Sequence, residues 1–509
     1  MNDDMRKARI RLVAMAVGFV FAAGATLAGA QDPATEGAAR RRYESGLTFL
    51  AEKKYSEALK DFQAVVESYQ QSRVADAALL RIAEYELDVA GDTTAAQVAI
   101  DLLQKKYGNS ESGPMGLVLA GRIILAKSRV TADVESAIAS YDRVPRLFPG
   151  SDAVPASMYY AGEALRLTHR DSEAIVRYRQ VSTDYPESEW ARRAPLSEAR
   201  CLVLTGKAAR AMELLQRVRQ RFPKTPEAET AVAWNTILYR LYLRAPAQPA
   251  FHVAAQRTIA GAGGRLKDIR ALAIGANGHL YAANQDAVLI FDLAGKPVAT
   301  VSANDARAIT FDRSGNPTIV CREGIVGQNG APRALTVPKP DGTPRTLGDI
   351  TSGVLTSMGD LLVVDSNAKN IARFSSAGKF AAPFASVFPL RLAIDVTDRV
   401  ASLDESGGGL SLLEHDGRVR AAVPARGQGY EFDRPVDLAV DPLGHVYVLD
   451  RNKATVFVFA PGPQPRLLSA FSIPAKSPGS FRKAVCFALD SAGRLYIYDD
   501  DVEKIQVYQ

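Results

Sequence analysis

The chain has 509 residues, of which 47% are hydrophobic and 23% are charged, close to the averages of soluble globular proteins. This composition excludes wholesale disorder, a collagen-like chain and a protein with many membrane spans, and the length argues for two or more folded domains. The formal charge of +6 is a weaker bias than a general nucleic-acid binder carries, so we expect no nucleic acid among the partners.

The first thirty residues have the pattern of a secretory signal peptide. A basic start from Arg6 to Arg11 leads into an uncharged apolar run from Leu12 to Ala28, and the small residues Ala-Gly-Ala precede Gln31. We therefore predict that residues 1–30 are removed on export, which leaves a periplasmic protein without a membrane span. The alternative is an uncleaved segment that keeps the protein at the membrane, because the apolar run is nearly long enough to cross a bilayer.

A repeat of about 37 to 41 residues covers the chain from residue 40 to residue 245. Each unit has an aromatic residue that lies eleven positions after an alanine. The aromatic residues are Tyr69, Tyr107, Phe148, Tyr185 and Phe222, and the alanines are Ala58, Ala96, Ala137, Ala174 and Ala211. Large apolar residues four and seven positions after each alanine lie on the same helical face, and the alanine lets a neighbouring helix approach. The pattern predicts five helical hairpins.

The ends of these helices also have sequence signals. A hydroxyl residue three positions after each aromatic residue is expected to cap the next helix, and prolines are expected to end the preceding one. The hydroxyl residues are Ser72, Ser110, Ser151, Ser188 and Thr225, and the prolines are Pro149, Pro186 and Pro223. A last helix over Thr230 to Leu243 is expected to cover the exposed side of the array.

The helical segment resembles the tetratricopeptide repeat. Tyr43 to Leu47, followed by Tyr55 to Leu59 and Phe62, has that motif, although Glu84 and Ala199 replace its glycine in units two and five. The resemblance implies an α-solenoid.

The junction Tyr185-Pro186-Glu187-Ser188 resembles the repeats of periplasmic outer-membrane-assembly and Tol-Pal-associated proteins. The tetratricopeptide resemblance also implies that the first helix of each hairpin lines a concave groove. The groove positions in this sequence are Arg81, Tyr85, Arg122, Tyr159, Glu163, Arg166 and Arg200. We expect these residues to contact a protein partner; the alternative is that they are ordinary solvated or packing residues.

The apolar period changes from 3.6 to 2 beyond a Pro- and Ala-rich stretch, which we interpret as a linker over residues 246–250. Six turns follow in residues 251–509, each leading into a second strand that has Asn284, Cys321, Asp365, Asp404, Asp450 or Asp499 in the same register. The best units, Val446 to Asp450 and Leu495 to Asp499, resemble the NHL repeat, which implies a six-bladed β-propeller. We expect residues Phe251 to Ile259 to supply the outer strand of the last blade and so close the ring.

The first strands of the six blades are expected to line a central channel with small residues. One predicted ring is Ala273, Thr310, Val354, Ala393, Ala439 and Ala488, and a second is Ala271, Ala308, Ser352, Arg391, Asp437 and Cys486. Asp437 is the one plausible metal ligand in these rings, with Arg391 as its expected charge partner, so we expect neither a metal nor a cofactor. His279 and His445 are expected on exposed turns, and the second-strand aspartates are expected to bind turn backbone groups.

Two functions remain open from the sequence. The favoured one is a non-enzymatic periplasmic scaffold or adaptor that holds protein partners or other components of the cell envelope through the helical groove and a propeller face. The alternative is a propeller hydrolase or lyase, similar to lactonases or amidating lyases, with the helical array as a targeting module.

Overall fold

The computed structural model describes residues 32–244, 249–261, 266–327, 330–404, 409–473, 477 and 479–509. As predicted, a helical array is followed by a six-bladed β-propeller. The predicted signal peptide and residues 246–248 of the predicted linker lie outside the described residues. Among the helices of the described ranges, none is long and apolar enough to cross a membrane.

The described part of the array contains eleven α-helices, ten of which form the five predicted hairpins. The first helices of the hairpins are α1 (Pro33–Ala51), α3 (Ala75–Asp88), α5 (Gly113–Lys127), α7 (Val154–Leu167) and α9 (Trp190–Leu204). The second helices are α2 (Tyr55–Ser68), α4 (Thr93–Tyr107), α6 (Thr131–Leu147), α8 (Asp171–Asp184) and α10 (Ala208–Arg221). The last helix, α11 (Pro226–Leu238), continues into a short π-helical segment, Tyr239–Leu243.

Glycine on the first helix makes room for an aromatic ring on the second helix in three hairpins. A Cβ atom added at Gly46, Gly121 or Gly162 would lie 2.4 to 2.6 Å from the ring of Phe62, Tyr141 or Tyr178. These three rings are almost fully buried. The two units without the glycine have Ile100 and Leu215 in place of a ring. The glycine is therefore needed only where the facing residue is aromatic.

The predicted helix ends are correct for the prolines and only partly correct for the hydroxyl residues. Helices α6, α8 and α10 each end two residues before the predicted proline. Thr225 is the N-cap of α11, since its Oγ1 accepts a hydrogen bond from the Ala228 N–H at 3.2 Å. The four serines lie two or three residues before their helices, and three of them, Ser72, Ser151 and Ser188, accept a hydrogen bond from a backbone N–H two or three residues later. Ser110 Oγ is buried without a hydrogen-bond partner among the described residues, so it caps nothing there.

The propeller consists of six four-stranded antiparallel sheets. Blades 1 to 3 are β2 (Ala271–Ile274), β3 (His279–Ala283), β4 (Ala287–Asp292), β5 (Pro297–Ser302); β6 (Ala306–Phe311), β7 (Pro317–Cys321), β8 (Gly324–Val326), β9 (Pro332–Ala334); and β12 (Ile350–Leu355), β13 (Leu361–Asp365), β14 (Asn370–Phe374), β15 (Phe380–Ala385). A small hairpin, β10 (Thr336–Pro338) and β11 (Pro344–Thr346), separates blades 2 and 3.

The second half of the propeller repeats this order. Blades 4 and 5 are β16 (Pro389–Ile394), β17 (Val400–Asp404), β18 (Leu410–Leu413), β19 (Val419–Val423); and β22 (Pro435–Val440), β23 (Val446–Asp450), β24 (Thr455–Phe459), β25 (Leu467–Ser472). The hairpin between them is β20 (Arg426–Gly427) and β21 (Tyr430–Glu431). Blade 6 is β26 (Ala484–Leu489), β27 (Leu495–Asp499) and β28 (Lys504–Tyr508), completed by β1 (Val253–Ile259).

The predicted ring closure is confirmed. Strand β1 pairs antiparallel with β28, and Val253 lies opposite Tyr508 while Ile259 lies opposite Ile505. The last blade thus takes its outer strand from the start of the propeller, and β28 is not left as an open edge.

Two of the second-strand carboxylates, Asp450 and Asp499, bind backbone groups as expected. Asp450 Oδ2 accepts hydrogen bonds from the N–H groups of Asp433 and Arg434 at 2.7 and 3.1 Å. Asp499 Oδ2 accepts one from the Arg482 N–H at 2.7 Å. Each carboxylate fastens the loop that enters its own blade.

The other two second-strand carboxylates have different surroundings. Asp365 pairs with Arg345, and Asp404 Oδ1 is buried without a hydrogen-bond partner among the described residues.

The exposed position predicted for His445 is wrong. Its side chain is fully buried, and both ring nitrogens have partners. Nδ1 lies 2.8 Å from Asp441 Oδ2, and Nε2 lies 3.0 Å from the Tyr242 hydroxyl. Tyr242 belongs to the π-helical segment, which a reading of the propeller repeat alone does not place over this turn.

The described residues divide into two compact units, one that ends at Ser197 and one that begins at Glu198. The division falls within α9, so the second unit contains α10, α11 and the π-helical segment as well as the propeller. Contacts inside this unit join the two parts: Arg200 Nε donates to the Pro442 carbonyl at 3.0 Å, and Arg240 Nη1 donates to the Gly493 carbonyl at 2.7 Å.

Candidate functional site

An aromatic cluster lies where the first helices of hairpins four and five meet. Tyr159 and Tyr160, neighbours on α7, have ring centroids 5.0 and 5.2 Å from that of Trp190, at the start of α9. Tyr159 also packs against Tyr178 of α8 at 5.8 Å. Trp190 is buried, whereas Tyr159 and Tyr160 are half-buried, so part of the cluster remains at the surface.

Two arginines lie over the rings of this cluster. The guanidinium of Arg122, on α5, is 4.9 Å from the Tyr160 ring, and that of Arg193 is 5.1 Å from the Trp190 ring. Arg122 also forms a 2.5 Å ion pair with Asp88, at the end of α3. Both geometries are those of cation–π contacts. We call Arg122, Tyr159, Tyr160, Trp190 and Arg193 the aromatic–arginine cluster.

The electrostatics keep Arg122 charged. Burial works to lower the pKa of Arg122, but Tyr160 and Asp88 together raise it overall. Burial also raises the pKa of the Tyr160 hydroxyl, so this group is a neutral hydrogen-bond donor at neutral pH. The surface of the cluster therefore presents a cation and aromatic rings side by side.

Glu163 and Arg166 stabilise the helices beneath the cluster. Glu163 Oε1 accepts hydrogen bonds from the hydroxyls of Tyr178 and Ser197, both at 2.7 Å, and Oε2 pairs with Arg166 at 2.9 Å. The Arg166 side chain is only 3% exposed. These predicted groove residues tie α7 to α8 and α9, and their exposed surface is small.

The remaining predicted groove residues lie apart from the cluster. Arg81 pairs with Glu84 at 2.7 Å on α3, and Tyr85 is buried in the core, with its ring 5.5 Å from that of Tyr55. Arg200 lies over the Trp234 ring at 4.4 Å and donates to a propeller carbonyl. The structure thus brings together four of the seven predicted residues, Arg122, Tyr159, Glu163 and Arg166.

Sequence reasoning missed Tyr160, Trp190 and Arg193. Trp190 and Arg193 lie in the first turn of α9, close to Ser188, where the repeat pattern changes from turn to helix. A search for large aromatic residues at the starts of the first helices would have found Trp190. The proximity of Tyr160 and Arg122 depends on packing between α5 and α7, which the pattern of a single repeat does not contain.

A second candidate is the channel of the propeller. It holds a cavity of about 350 Å³ lined by residues of the first strands of all six blades. The lining contains every member of both predicted rings except Cys486, together with residues between them such as Leu272 and Ile309. It also contains Arg270 and Arg307, which the sequence analysis did not place there.

Asp437 is held in this channel by backbone groups. Its Oδ1 accepts from the Leu438 N–H at 3.0 Å and its Oδ2 from the Phe487 N–H at 2.9 Å. Burial raises the pKa of this carboxyl to about 6, although the charge of Arg391 works in the opposite direction. Arg391 itself donates to the carbonyls of Thr351 and Val436, so it acts on Asp437 through space.

The channel offers few donors for a metal. Within the described ranges, no group of three or more His, Cys, Asp or Glu side chains is arranged to hold a metal ion.

Two repeat families match parts of the chain. The tetratricopeptide repeat model matches residues 156–188 and 197–225, and the NHL repeat model matches residues 432–459. The chain therefore carries repeats of both kinds. None of the curated proteins compared with the chain matches it.

Several solved structures are similar to one part of the chain. Virginiamycin B lyase from Staphylococcus aureus is 11% identical, with 51% of this chain and 99% of that chain covered and a TM-score of 0.35. A gluconolactonase from Xanthomonas campestris is 15% identical, with 50% and 95% covered and a TM-score of 0.34. A thermophilic tetratricopeptide-repeat protein from Thermus thermophilus is 16% identical, with 38% and 95% covered and a TM-score of 0.31. At these identities no activity transfers to this chain.

Proposed function

We propose that the protein is a non-enzymatic scaffold of the cell envelope that binds an extended segment of a partner protein on its helical repeats. The observation that carries this proposal is the aromatic–arginine cluster on α5, α7 and α9. Tyr, Trp and Arg side chains contribute most of the binding free energy at protein interfaces, because they bury a large area and lose little conformational entropy. Both repeat families support a role in protein interaction.

The chemistry of the cluster indicates the kind of segment that binds. Arg122 and Arg193 would attract a carboxylate, and the half-buried faces of Tyr159 and Tyr160 would cover an apolar side chain. The partner segment therefore combines acidic and apolar residues. A surface of the propeller would hold a second envelope component.

A periplasmic location is part of the proposal. The signal-peptide pattern of residues 1–30 supports it, as does the resemblance of the repeat junctions to those of outer-membrane-assembly and Tol-Pal-associated proteins. N-terminal sequencing of protein released by osmotic shock tests this point, with Gln31 expected as the first residue. Recovery of an intact Met1 from the membrane fraction would contradict it.

The alternative function, a propeller hydrolase or lyase, has one observation in its favour. Asp437 lines a cavity and its carboxyl has a raised pKa, a combination found at many catalytic acids and bases. Assays on lactone and ester substrates test this alternative with the wild type and with Asp437→Asn. The scaffold proposal expects no turnover that depends on Asp437.

Site-specific photo-crosslinking in cells tests the scaffold proposal directly. A photoreactive phenylalanine analogue placed at Arg193 should form adducts with a partner protein, which mass spectrometry then identifies. The matched control is the same analogue at Arg146, an exposed arginine on the second helix α6. Equal adduct patterns at both positions would contradict binding at the cluster.

The identified segment then serves as the probe for affinity. Replacing Arg122 and Arg193 together by glutamine should weaken its Kd by about 5- to 150-fold, or about 1 to 3 kcal/mol, because both cation contacts are lost. Arg146→Gln should leave the Kd unchanged. Because the double variant also loses the Arg122–Asp88 ion pair, Asp88→Asn, which loses the same ion pair but keeps both arginines, is the control for an effect on stability.

A further inference from the structure

The cavity at the centre of the propeller is rich in positive charge. Three arginines line it, Arg270 and Arg307 from blades 1 and 2 and Arg391 from blade 4, whereas Asp437 is the one acidic residue in the lining. Arg270 and Arg307 share a single carboxylate, Asp305, which lies 2.9 Å from Arg307 Nη2. The two arginines together therefore exceed the negative charge next to them.

The hydrogen-bonding capacity of these arginines is not used up. Arg391 donates to two backbone carbonyls, which satisfy N–H groups but do not balance a positive charge. Arg307 donates to Asp305 through Nη2, and its Nε is buried, so Nη1 is the nitrogen of this guanidinium that is left for a ligand. A guanidinium has five N–H donors in a planar fork that suits carboxylate and phosphate oxygens.

Two hydroxyls add further donors to the same lining. Thr310 Oγ1 accepts a hydrogen bond from the Leu355 N–H at 2.9 Å, and Ser352 Oγ accepts one from the Leu392 N–H at 3.0 Å. Since each oxygen is already an acceptor for the backbone, each hydroxyl proton is left to be donated. The cavity thus presents more donors than acceptors, which favours an anion over a cation.

We propose that this cavity binds a small anion, a carboxylate or a phosphate, through the guanidinium groups of Arg270, Arg307 and Arg391. A cavity of about 350 Å³ is at the small end of the ligand pockets found in proteins, so the ligand is a small molecule and not a polymer. The site is independent of the helical repeats, so its function adds to that of the aromatic–arginine cluster.

Isothermal titration calorimetry on the full-length mature protein tests the proposal, with inorganic phosphate and succinate as probes in a low-chloride buffer. At least one probe should bind, and Arg307→Gln and Arg391→Gln should each weaken that binding at least tenfold. Binding of succinate alone assigns the site to carboxylates, and binding of phosphate alone assigns it to phosphates. Absence of binding by both probes would overturn the proposal.

Two further variants separate loss of the site from loss of the fold. Arg418→Gln changes an exposed arginine at a propeller turn and should leave the affinity as in the wild type. Asp437→Asn removes the negative charge of the lining and should tighten binding severalfold, an effect that a damaged propeller cannot produce. Wild-type affinity in Arg307→Gln, Arg391→Gln and Asp437→Asn alike would also overturn the proposal.

Discussion

Asp437 illustrates what burial does to a single charge in the channel. The unfolded chain has the ordinary aspartate pKa, whereas the folded protein raises it to about 6. The folded state therefore binds the proton more readily, and the stability that this group contributes is present at low pH and lost as the pH rises through about 6.

The first prediction follows from that shift. Between pH 4.5 and pH 7.5 the wild type should lose about 2 kcal/mol of stability relative to Asp437→Asn, because the asparagine never carries the charge. Urea unfolding of both proteins at the two pH values measures this change. The lost backbone acceptor in the variant adds a constant offset at both values. A difference that does not change with pH would show that the carboxyl titrates normally.

The second prediction concerns the glycine that faces an aromatic ring. Gly162→Ala should lower the free energy of unfolding by about 1 to 3 kcal/mol, because the new Cβ would lie 2.6 Å from the Tyr178 ring. Gly150→Ala is the control, since a Cβ there meets nothing within 4 Å. Thermal unfolding compares the two variants. Equal effects would mean that the hairpin has more room at Gly162 than the packing indicates.

Single residues also mark where sequence reasoning reaches its limit. A reading in steps of two along the first strands gave twelve channel residues, and Arg391 and Asp437 are among those that line the cavity. It passed over Arg270 and Arg307, which are the sequence neighbours of Ala271 and Ala308 and also line the cavity. The lining includes consecutive residues of each first strand, and a reading that keeps every second residue leaves the others out.

At the scale of elements, the π-helical segment Tyr239–Leu243 connects the last helix to the propeller. Tyr242 contacts His445, which in turn contacts Asp441 at the turn before β23. The side chains of His445 and Asp441 are both fully buried, and the Tyr242 hydroxyl is the hydrogen-bond partner of His445 Nε2.

The third prediction tests this connection. Tyr242→Phe should lower the free energy of unfolding by about 1 to 3 kcal/mol, because it leaves a buried ring nitrogen without its partner. Tyr239→Phe changes a tyrosine of the same segment that is 56% exposed and should have almost no effect. Differential scanning calorimetry of the two variants decides the matter, and equal melting temperatures would contradict the prediction.

Helices and strands were predicted best where the residues that end or begin them are close together in the sequence. The proline positions fixed the ends of α6, α8 and α10, and turn residues located the paired strands of every blade. The start of α11 was expected at Thr230 but lies at Pro226, because Thr225 caps the helix earlier than the apolar pattern begins. The aromatic–arginine cluster was found only in part, since it forms between repeats.

At the scale of the whole molecule, the end of α9, helices α10 and α11 and the propeller belong to one compact unit. The composition change near residue 246 marks the passage from helices to strands. The boundary between the two compact units lies elsewhere, between residues 197 and 198, because side chains such as Arg200 and Arg240 donate hydrogen bonds to propeller carbonyls. Such contacts join residues that are far apart in the sequence, so no local sequence pattern predicts them.

The fourth prediction compares two fragments of the chain. A fragment of residues 190–509 should unfold at a higher temperature than one of residues 251–509, because the shorter one lacks Arg200, Arg240 and Tyr242. Circular dichroism melts measure the unfolding temperatures of both fragments, and light scattering shows whether either fragment aggregates. Identical melting temperatures would show that the propeller gains nothing from the helices.

The pairing of β1 with β28 has a consequence for the order of folding. These two strands are separated by almost the whole length of the propeller, so bringing them together costs more chain entropy than any hairpin within a blade. Blades can form early from neighbouring strands, but the ring closes only when the first and sixth blades already stand side by side. We therefore expect ring closure to be the slowest step of propeller folding, because it needs both the first strand and the last.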